Sequence, residues 1–260
     1  MISIHDLNYS IGSRKILQYV QMQVLGGELV GIIGPNGAGK SSLLKLISKE
    51  YHGYDGEISI NGKNLKEYKI LELAKFRAVL PQSNYLAVNL KVLDIVLMGR
   101  YPHFHYKPNP EDVRIAKACL DEMGIAGFEE RMIFTLSGGE QQRVQLARVL
   151  AQIYQQKDGI LLMDEPINGL DLEYQQVILD KAKDLARLGM CVICVLHDIN
   201  LAAQYADKIL LLKNGKVKDF GPPEEVLTEE AVFEMYHTKV KRIEKGILGY
   251  TGILPSGMRL

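Results

Sequence analysis

The feature that most constrains the fold of this chain is a glycine-rich segment, Gly34-Pro35-Asn36-Gly37-Ala38-Gly39-Lys40-Ser41. It matches the pattern G-x-x-x-x-G-K-[ST], in which a loop wraps around phosphate groups. The apolar run Leu29 to Ile33 precedes it, and residues 42 to 49 place their apolar side chains at helical spacing. Because a strand, a glycine loop and a helix in this order are the context that the motif requires, the sequence predicts a nucleoside triphosphate site.

The residue types in this segment suit the binding of an anion. Glycines at 34, 37 and 39 allow backbone turns that other residues avoid, so that several N–H groups can converge on one phosphate. The N-terminus of the following helix adds partial positive charge at the same point. Lys40 is predicted to reach the β- and γ-phosphates, and the Ser41 hydroxyl to hold Mg²⁺. The alternative is a glycine-rich turn without function, which the flanking strand and helix disfavour.

Composition excludes several classes of protein. The 31 Lys and Arg residues balance the 31 Asp and Glu residues, so no overall positive field favours nucleic acid. We expect neither a membrane span nor a signal peptide, because no long apolar stretch and no charged leader are present. Three cysteines cannot form a disulfide framework, which agrees with a reducing cytosol. Cys191 and Cys194 lie in an apolar run, which favours a buried strand over a metal or redox pair.

Alternating strand and helix patterns define the expected fold class. Residues 2–9 and 14–24 predict an N-terminal hairpin joined by a loop at 10–13. Further strand patterns, separated by helical ones, occur at 78–80, 160–163, 191–196 and 209–212. This order predicts an α/β protein with a mostly parallel sheet covered on both faces. Helical periodicity dominates from about residue 86 to residue 152, which indicates a helical subdomain inserted into the sheet core.

Polar side chains follow three of these predicted strands. Asp164 and Glu165 end the run Ile160 to Met163, His197 follows the strand at 191–196, and Gln82 comes shortly after Leu80. In an open parallel sheet, ligands bind at the carboxyl ends of the strands. Asp164 is predicted to act on Mg²⁺ through water, and Glu165 to orient or deprotonate the attacking water. His197 is a further catalytic candidate, and Gln82 can reach Mg²⁺ or the same water; a solvated acidic turn and a structural histidine are the alternatives.

A second glycine-containing helix start lies at Leu136-Ser137-Gly138-Gly139-Glu140-Gln141. Ser137 and Glu140 have the spacing of a capping box, which is the structural interpretation. A cap does not require two glycines, because glycine in a first turn lowers helix stability. Gly138 and Gly139 instead suit the close approach of backbone to a phosphate, so we favour a nucleotide contact.

Taken in order, the phosphate loop, Gln82, LSGGEQ, ILLMDEP, INGLD and His197 resemble the motifs of ABC-transporter ATPase subunits. The resemblance implies a P-loop NTPase (RecA-like) core with an N-terminal antiparallel β subdomain and an inserted helical subdomain. The single ABC ATPase domain would comprise a core at 1–85 and 155–220, a helical subdomain at 86–154 and a C-terminal extension at 221–260.

The resemblance also implies how the site is completed. Two copies of the chain would form a head-to-tail homodimer with two ATP molecules and their Mg²⁺ between the subunits. Gly34 to Ser42 of one subunit would face Ser137, Gly138 and Gly139 of the other, and Asp171 would signal across the interface. The physical argument agrees, because one phosphate loop leaves part of the charge of ATP uncompensated and a second helix N-terminus supplies further donors.

Two stretches, Gly99 to His103 and Val195 to Ala203, are similar to importers of iron chelates and cobalamin. The run from Leu136 to Gln152, with a longer link to ILLMDEP, resembles haemin importer ATPases. These likenesses imply a peripheral protein at the cytoplasmic face of the bacterial inner membrane. It would bind two copies of a polytopic permease through residues 82–110, and a substrate-binding protein would act only indirectly.

Several alternatives stay open at this point. The substrate could be a ferric siderophore or cobalamin, and a soluble ABC ATPase for iron–sulfur assembly is the rival of another class. A non-hydrolysing regulatory subunit is disfavoured, because Glu165 and His197 are both present. His103 and His105 could be taken for haem ligands, but a cytosolic motor need not touch its cargo.

The chain departs from the family pattern in two places. Ile11 occupies the position where the family usually stacks an aromatic residue on adenine, and Tyr9 lies two residues earlier on the same strand face. Either Tyr9 takes that role or the stacking on the base is weak. The loop Ile167-Asn168-Gly169-Leu170-Asp171 differs from the commoner threonine-serine-alanine version. It keeps Leu170 and Asp171, so altered packing rather than lost chemistry is expected.

Overall fold

The computed structural model describes residues 1–82, 87–243, 246 and 249–256. In the described residues the strands are β1 (Ile2–Ile11), β2 (Arg14–Val24), β3 (Leu29–Ile33), β4 (Asp55–Ile60), β5 (Lys63–Asn64), β6 (Arg77–Leu80), β7 (Ile160–Asp164), β8 (Cys191–Val195), β9 (Lys208–Lys213), β10 (Lys216–Gly221), β11 (Val240–Ile243) and β12 (Gly252–Pro255). The α-helices are α1 (Lys40–Ile47), α2 (Ile70–Ala74), α3 (Val92–Met98), α4 (Pro110–Glu122), α5 (Gly138–Gln152), α6 (Leu172–Arg187), α7 (Ile199–Tyr205), α8 (Pro223–Val226) and α9 (Glu229–Tyr236).

An antiparallel sheet with the strand order β2-β1-β4-β5 forms the N-terminal part of the chain. The predicted hairpin is confirmed, but the predicted loop at 10–13 is too long. Ser10 pairs with Lys15 and Ile11 pairs with Arg14, so both strands continue to a two-residue turn. Gly12 makes this turn with φ of 58°, a left-handed conformation that glycine adopts without steric penalty. The hairpin therefore reaches two residues further than the apolar alternation indicates.

The central sheet has the order β10-β9-β3-β8-β7-β6, and only β10 pairs antiparallel to its neighbour. Strands β3, β7 and β8 are buried along their whole length, as expected for parallel strands covered on both faces. Cys191 and Cys194 are buried in β8, which confirms their prediction as strand residues. The carboxyl ends of β3, β8, β7 and β6 meet at one edge, and this edge holds the candidate site.

Helices α3, α4 and α5 form the predicted helical segment and share one apolar core with a face of the central sheet. A buried ion pair joins Arg100 Nε to Asp112 Oδ1 at 3.0 Å, and a second Arg100 nitrogen donates to the Ala151 carbonyl at 2.8 Å. A Cβ on Gly99 would lie 2.1 Å from the Arg148 carbonyl oxygen, so this segment approaches α5 too closely for a side chain. The stretch that begins at Gly99 is therefore fixed to the helix that starts at Ser137.

The C-terminal segment packs back on the core through α8, α9 and the hairpin of β11 and β12. Asn200 in α7 makes two hydrogen bonds with Ile253: its amide donates to the carbonyl at 3.0 Å, and its Oδ1 accepts from the N–H at 2.7 Å. This contact fixes the extension to the helix that follows His197. Within the residues described, none of the helices combines the length and apolar character that a membrane crossing needs.

Candidate nucleotide-binding and catalytic site

The phosphate loop connects β3 to α1 and requires glycine at specific positions. Gly37 has φ of 77° and Gly39 has φ of 104°, and both values lie in the left-handed region. A Cβ on Gly34 would lie 2.0 Å from the Leu212 carbonyl oxygen, which no rearrangement of a side chain could relieve. Gly39 occupies the cap position of α1, where the described residues provide no side-chain hydrogen bond to the helix N-terminus. The first N–H groups of α1 are therefore left for a ligand.

Lys40 is buried and folded over its own loop. Its Nζ donates to the Gly34 carbonyl at 2.7 Å and to the Pro35 carbonyl at 3.2 Å. Burial lowers the pKa of Lys40, while the carboxylates of Glu165 and Asp164 oppose this shift. The ammonium group thus lies within the loop that is predicted to surround the phosphates.

Ser41 and Asp164 meet across the site. The Ser41 hydroxyl donates to Asp164 Oδ1 at 3.0 Å, although the two residues are far apart in sequence. Asp164 ends β7 and is only 4% exposed; burial raises its pKa, the nearby Glu165 adds to the shift, and the Ser41 hydrogen bond opposes it. Ser42 follows in the first turn of α1 and is half-buried.

This pair fits Mg²⁺, which is commonly held by one or two protein oxygens together with substrate phosphates and water. The hydroxyl and the carboxylate supply such oxygens at adjacent positions. No group of three or more His, Cys, Asp or Glu side chains suited to a metal ion occurs in the described part of the chain. An ion held at Ser41 and Asp164 could take its other ligands from phosphate and water oxygens and from the side-chain oxygen of Gln82, whose amide nitrogen donates to Glu165.

Three side chains of the described residues surround the Glu165 carboxylate: two amides donate hydrogen bonds to it, and the His197 ring lies beside it. Gln82 Nε2 donates to Oε2 at 2.6 Å, and Asn168 Nδ2 donates to the same oxygen at 2.5 Å. His197 Nε2 lies 2.5 Å from Oε1. Glu165 has φ of 51°, and its backbone N–H donates to the Val195 carbonyl at 3.2 Å. The structure thus brings together the three predicted catalytic candidates and one residue, Asn168, that the sequence did not single out.

A cavity of about 160 Å³ lies beside this cluster. Glu165, Asn168, His197 and Asp198 contribute to its wall, so it is polar and large enough to hold water. The cavity could therefore hold a water molecule next to the Glu165 carboxylate.

The segment from Leu136 to Gln141, called the signature segment below, forms the N-terminus of α5, and its own side chains cap the helix. The Ser137 N–H donates to Glu140 Oε2 at 2.7 Å, and Ser137 Oγ accepts from the Glu140 N–H at 3.3 Å. The Ser137 N–H, and after it the Ser137 hydroxyl, hold the pKa of the Glu140 carboxyl below its usual value. A Cβ on Gly138 would meet nothing within 4 Å, whereas one on Gly139 would lie 3.6 Å from the Tyr174 ring.

Asp171 caps α6, because its Oδ1 accepts from the Tyr174 N–H at 3.2 Å. The loop that precedes Asp171 is also tied to α5, since Gln142 Nε2 donates to the Pro166 carbonyl at 3.1 Å. Glu165, Asp171 and the signature helix are therefore connected through one short loop.

Tyr9 lies on β1 in a half-buried position, with its ring stacked on Tyr51 at a centroid separation of 5.7 Å. The register between β1 and β2 shifts on both sides of Tyr9. Ile11, next to the hairpin turn, is 54% exposed. One face of the Tyr9 ring thus has an aromatic partner already, and its predicted contact with adenine stays a prediction.

A family model described as ABC transporter matches residues 17–168. Hemin import ATP-binding protein HmuV of Gloeobacter violaceus is 42% identical over 260 residues, which cover 99% of this chain and 94% of that protein.

Two solved structures share the fold over most of their length. An inward-facing conformation of a putative metal-chelate type ABC transporter gives a TM-score of 0.83 at 28% identity, covering 98% of this chain and 96% of that one. A dimeric ATP-binding cassette in a post-hydrolysis state, bound to ADP and Pi, gives 0.74 at 27% identity, covering 86% and 99%.

Proposed function

The chain belongs to the ABC transporter family as an ATP-hydrolysing importer subunit, and from that premise we propose that it powers the uptake of haemin. The observation that supports its catalytic competence best is the cluster around Glu165, which lies next to the Ser41–Asp164 pair. One edge of the sheet thus carries the loop that would bind phosphate, the pair that would hold Mg²⁺ and the base that would act on water.

ATP would bind with its phosphates in the loop from Gly34 to Ser42, where every residue except Pro35 offers a backbone N–H. Its negative charge would be met by Lys40 and the N-terminus of α1. Ser41 and Asp164 would hold Mg²⁺, with Gln82 as a further candidate ligand. When bound, Mg²⁺ supplies positive charge that offsets the charge of the phosphate oxygens during transfer. Lys40 would leave its present carbonyl partners and donate to the phosphates instead.

Glu165 would orient the attacking water and accept its proton. The water oxygen forms a bond to the γ-phosphorus, the bond from this phosphorus to the bridging oxygen of ADP breaks, and one water proton passes to the carboxylate. His197 and Gln82 hold the carboxylate from two sides, so their expected part is to keep Glu165 in one orientation.

The second half of the site would come from another copy of this chain. A related cassette has been solved as a dimer, which supports the proposed arrangement. In it, Ser137, Gly138 and Gly139 of one subunit would face the phosphates bound by the other, and Asp171 would lie at the interface. Each of these residues is at the start of a helix, where N–H groups can meet an anion.

Haemin is the proposed cargo because curated relatives at about 40% identity are named hemin import ATP-binding proteins. A ferric siderophore or cobalamin is the alternative, and the metal-chelate type of the structural neighbour agrees with that wider class. The chain would work at the cytoplasmic face of the inner membrane with two permease copies, and a substrate-binding protein would act only through the permease.

The permease would contact the region around residues 82–110, of which 83–86 lie outside the described residues. Tyr101 is 57% exposed there, and Tyr106 is fully exposed, which gives aromatic surface for a permease helix. His103 Nε2 lies 2.8 Å from the Gln152 carbonyl and burial lowers its pKa, so His103 has a structural partner and is a poor candidate for a haem ligand. This exposed aromatic surface beside a fixed histidine favours a transporter over a soluble iron–sulfur assembly ATPase.

The Glu165→Gln variant tests the catalytic proposal. It keeps the shape of the side chain but removes the base, so we expect it to bind ATP, to lose hydrolysis and to accumulate as an ATP-bound dimer. Light scattering after gel filtration measures the dimer, and the double variant with Lys40→Ala is the matched control that should stay monomeric. A Glu165→Gln protein that remains monomeric at saturating ATP contradicts the proposed homodimer with ATP between its subunits. Uptake assays with the permease, using haemin, siderophores and cobalamin, then decide the cargo.

A further inference from the structure

In the loop after β7, two hydrogen bonds join Asn168 to Glu165. The Asn168 backbone N–H donates to the Glu165 carbonyl at 3.3 Å, which closes a turn, and the Asn168 side-chain amide donates to Glu165 Oε2 at 2.5 Å. Gly169 follows with φ of 73°, so the chain reverses directly after Asn168. The amide therefore folds back onto the carboxylate because of the local turn.

The two oxygens of the Glu165 carboxylate have different surroundings. Oε2 accepts from both Gln82 and Asn168, whereas Oε1 is close to His197. A carboxylate offers about four lone-pair sites, two on each oxygen. Gln82 and Asn168 together occupy both sites of Oε2. Among the contacts of the described residues, a site for water therefore remains on Oε1, the oxygen beside His197.

We propose that Asn168 is a positioning residue for ATP hydrolysis, which directs the attacking water to Oε1 of Glu165 by occupying Oε2. The inference rests on the proposed role of Glu165 as the base. Without the amide, Oε2 can bind a water that lies away from the productive direction, and the carboxylate can rotate between orientations. Since a misplaced reacting group slows the chemical step rather than substrate binding, the effect falls on kcat.

A purely structural role for the side chain is disfavoured by its exposure. Asn168 is exposed, and the turn that it closes depends on its backbone N–H rather than on its amide. Glu165 has a left-handed backbone before Pro166, a combination that few residues adopt. The position of its carboxylate is thus set by the groups that bind it, and Asn168 is the one supplied by its own loop.

The test compares Asn168→Ala and Asn168→Asp with the unaltered protein. We expect Asn168→Ala to lower kcat about ten-fold, as for the loss of a hydrogen bond to a charged group, with the Kd of ATP and the ATP-dependent dimer unchanged. Asn168→Asp has the same shape but offers Oε2 an acceptor in place of a donor, so its kcat should fall further. Gln176→Ala, which removes another exposed amide from α6, is the control that should keep the full kcat.

Rescue and a double variant separate positioning from structure. Asn168→Gln keeps an amide donor and should recover part of the lost rate. In a Glu165→Gln background, Asn168→Ala should leave the residual rate unchanged, because the carboxylate on which it acts is gone. Full kcat in Asn168→Ala, or an equal fractional loss in both backgrounds, would overturn the inference. If Glu165→Gln itself keeps full hydrolysis, the proposed base is wrong, which is a different outcome from the failure of Asn168 alone.

Discussion

Two helices of this chain, α1 and α5, begin in glycine-containing segments, and they begin differently. At α1, Gly39 is left-handed and the described residues place no side chain on the first N–H groups. At α5, Ser137 is extended and exchanges two hydrogen bonds with Glu140, so the helix satisfies part of its own N-terminus. The N–H groups at the start of α1 are therefore left for a ligand, whereas those at the start of α5 are capped in part by the chain's own side chains.

The glycines of the two segments show the same difference. Gly34 is demanded by its own chain, because a Cβ there would strike the Leu212 carbonyl. Gly138 has open space around the position of a Cβ, so nothing in its own subunit requires glycine. Glycine lowers helix stability by about 1 kcal/mol relative to alanine. A glycine that its own chain does not need is explained if the backbone at Gly138 must approach something outside the chain.

The largest expected effect comes from the α1 side of this comparison. Lys40→Ala should abolish ATP binding, because it removes the buried cation that lies within the phosphate loop. Isothermal titration calorimetry measures the affinity. Lys117→Ala, which removes an exposed lysine from α4 outside the nucleotide site, is the control that should bind ATP normally. Retained ATP binding in Lys40→Ala would contradict the assignment of the phosphate loop.

Gly138→Ala tests the α5 side. The variant should fold with slightly raised stability and bind ATP as the unaltered protein does, since nothing in its own subunit meets the added methyl group. Hydrolysis should nevertheless fall by about ten-fold or more, because the methyl group would separate the helix start from the phosphates of the partner. The steady-state ATPase rate at saturating ATP is the measurement. An unchanged rate would mean that no phosphate reaches Gly138.

Ser137→Ala has a smaller effect with two parts. Loss of the cap should lower the free energy of unfolding by about 1 kcal/mol, which denaturant titration measures. Hydrolysis should also fall several-fold, if Ser137 donates to a phosphate in the dimer. Thr228→Ala is the matched control, because Thr228 caps α9 in the same way through the Ala231 N–H. Equal losses of ATPase activity in the two variants would show that Ser137 acts only as a helix cap.

The sequence predicts the structure correctly where the local residue pattern agrees with the position of the segment in the sheet. Apolar runs ending in Asp164 or followed by His197 predicted both the strands and the edge at which their polar residues meet. Strands that alternate with helices indicate a parallel sheet, and in a parallel sheet the carboxyl ends of the strands lie at one edge. Gln82, Glu165 and His197 meet within the site for this reason.

Contacts that depend on loop geometry were not predictable in the same way. The sequence marks Asn168 only as part of a loop that differs from the commoner family version. Its contact with Glu165 requires the turn that the backbone makes between the two residues. The bond between Asn200 and Ile253 joins residues far apart in sequence, and no periodicity indicates it. The extension of β1 through Ile11 was missed because strand alternation gives no sign of where a two-residue turn falls.

The smallest expected effect concerns the adenine ring of ATP. Its proposed contact, Tyr9, belongs to the α1 side of the comparison and not to the α5 side. Tyr9→Ala should weaken ATP affinity about five-fold, the size of one aromatic stacking interaction. Tyr9→Phe keeps the ring and should keep the affinity, whereas Ile11→Ala removes the exposed side chain at the family position and should change little. Because Tyr51 already stacks on Tyr9, loss of the ring also exposes Tyr51, so the unfolding free energy is measured alongside the Kd. An unchanged Kd in Tyr9→Ala would show that ATP is held through its phosphates, and that the α1 start alone determines affinity.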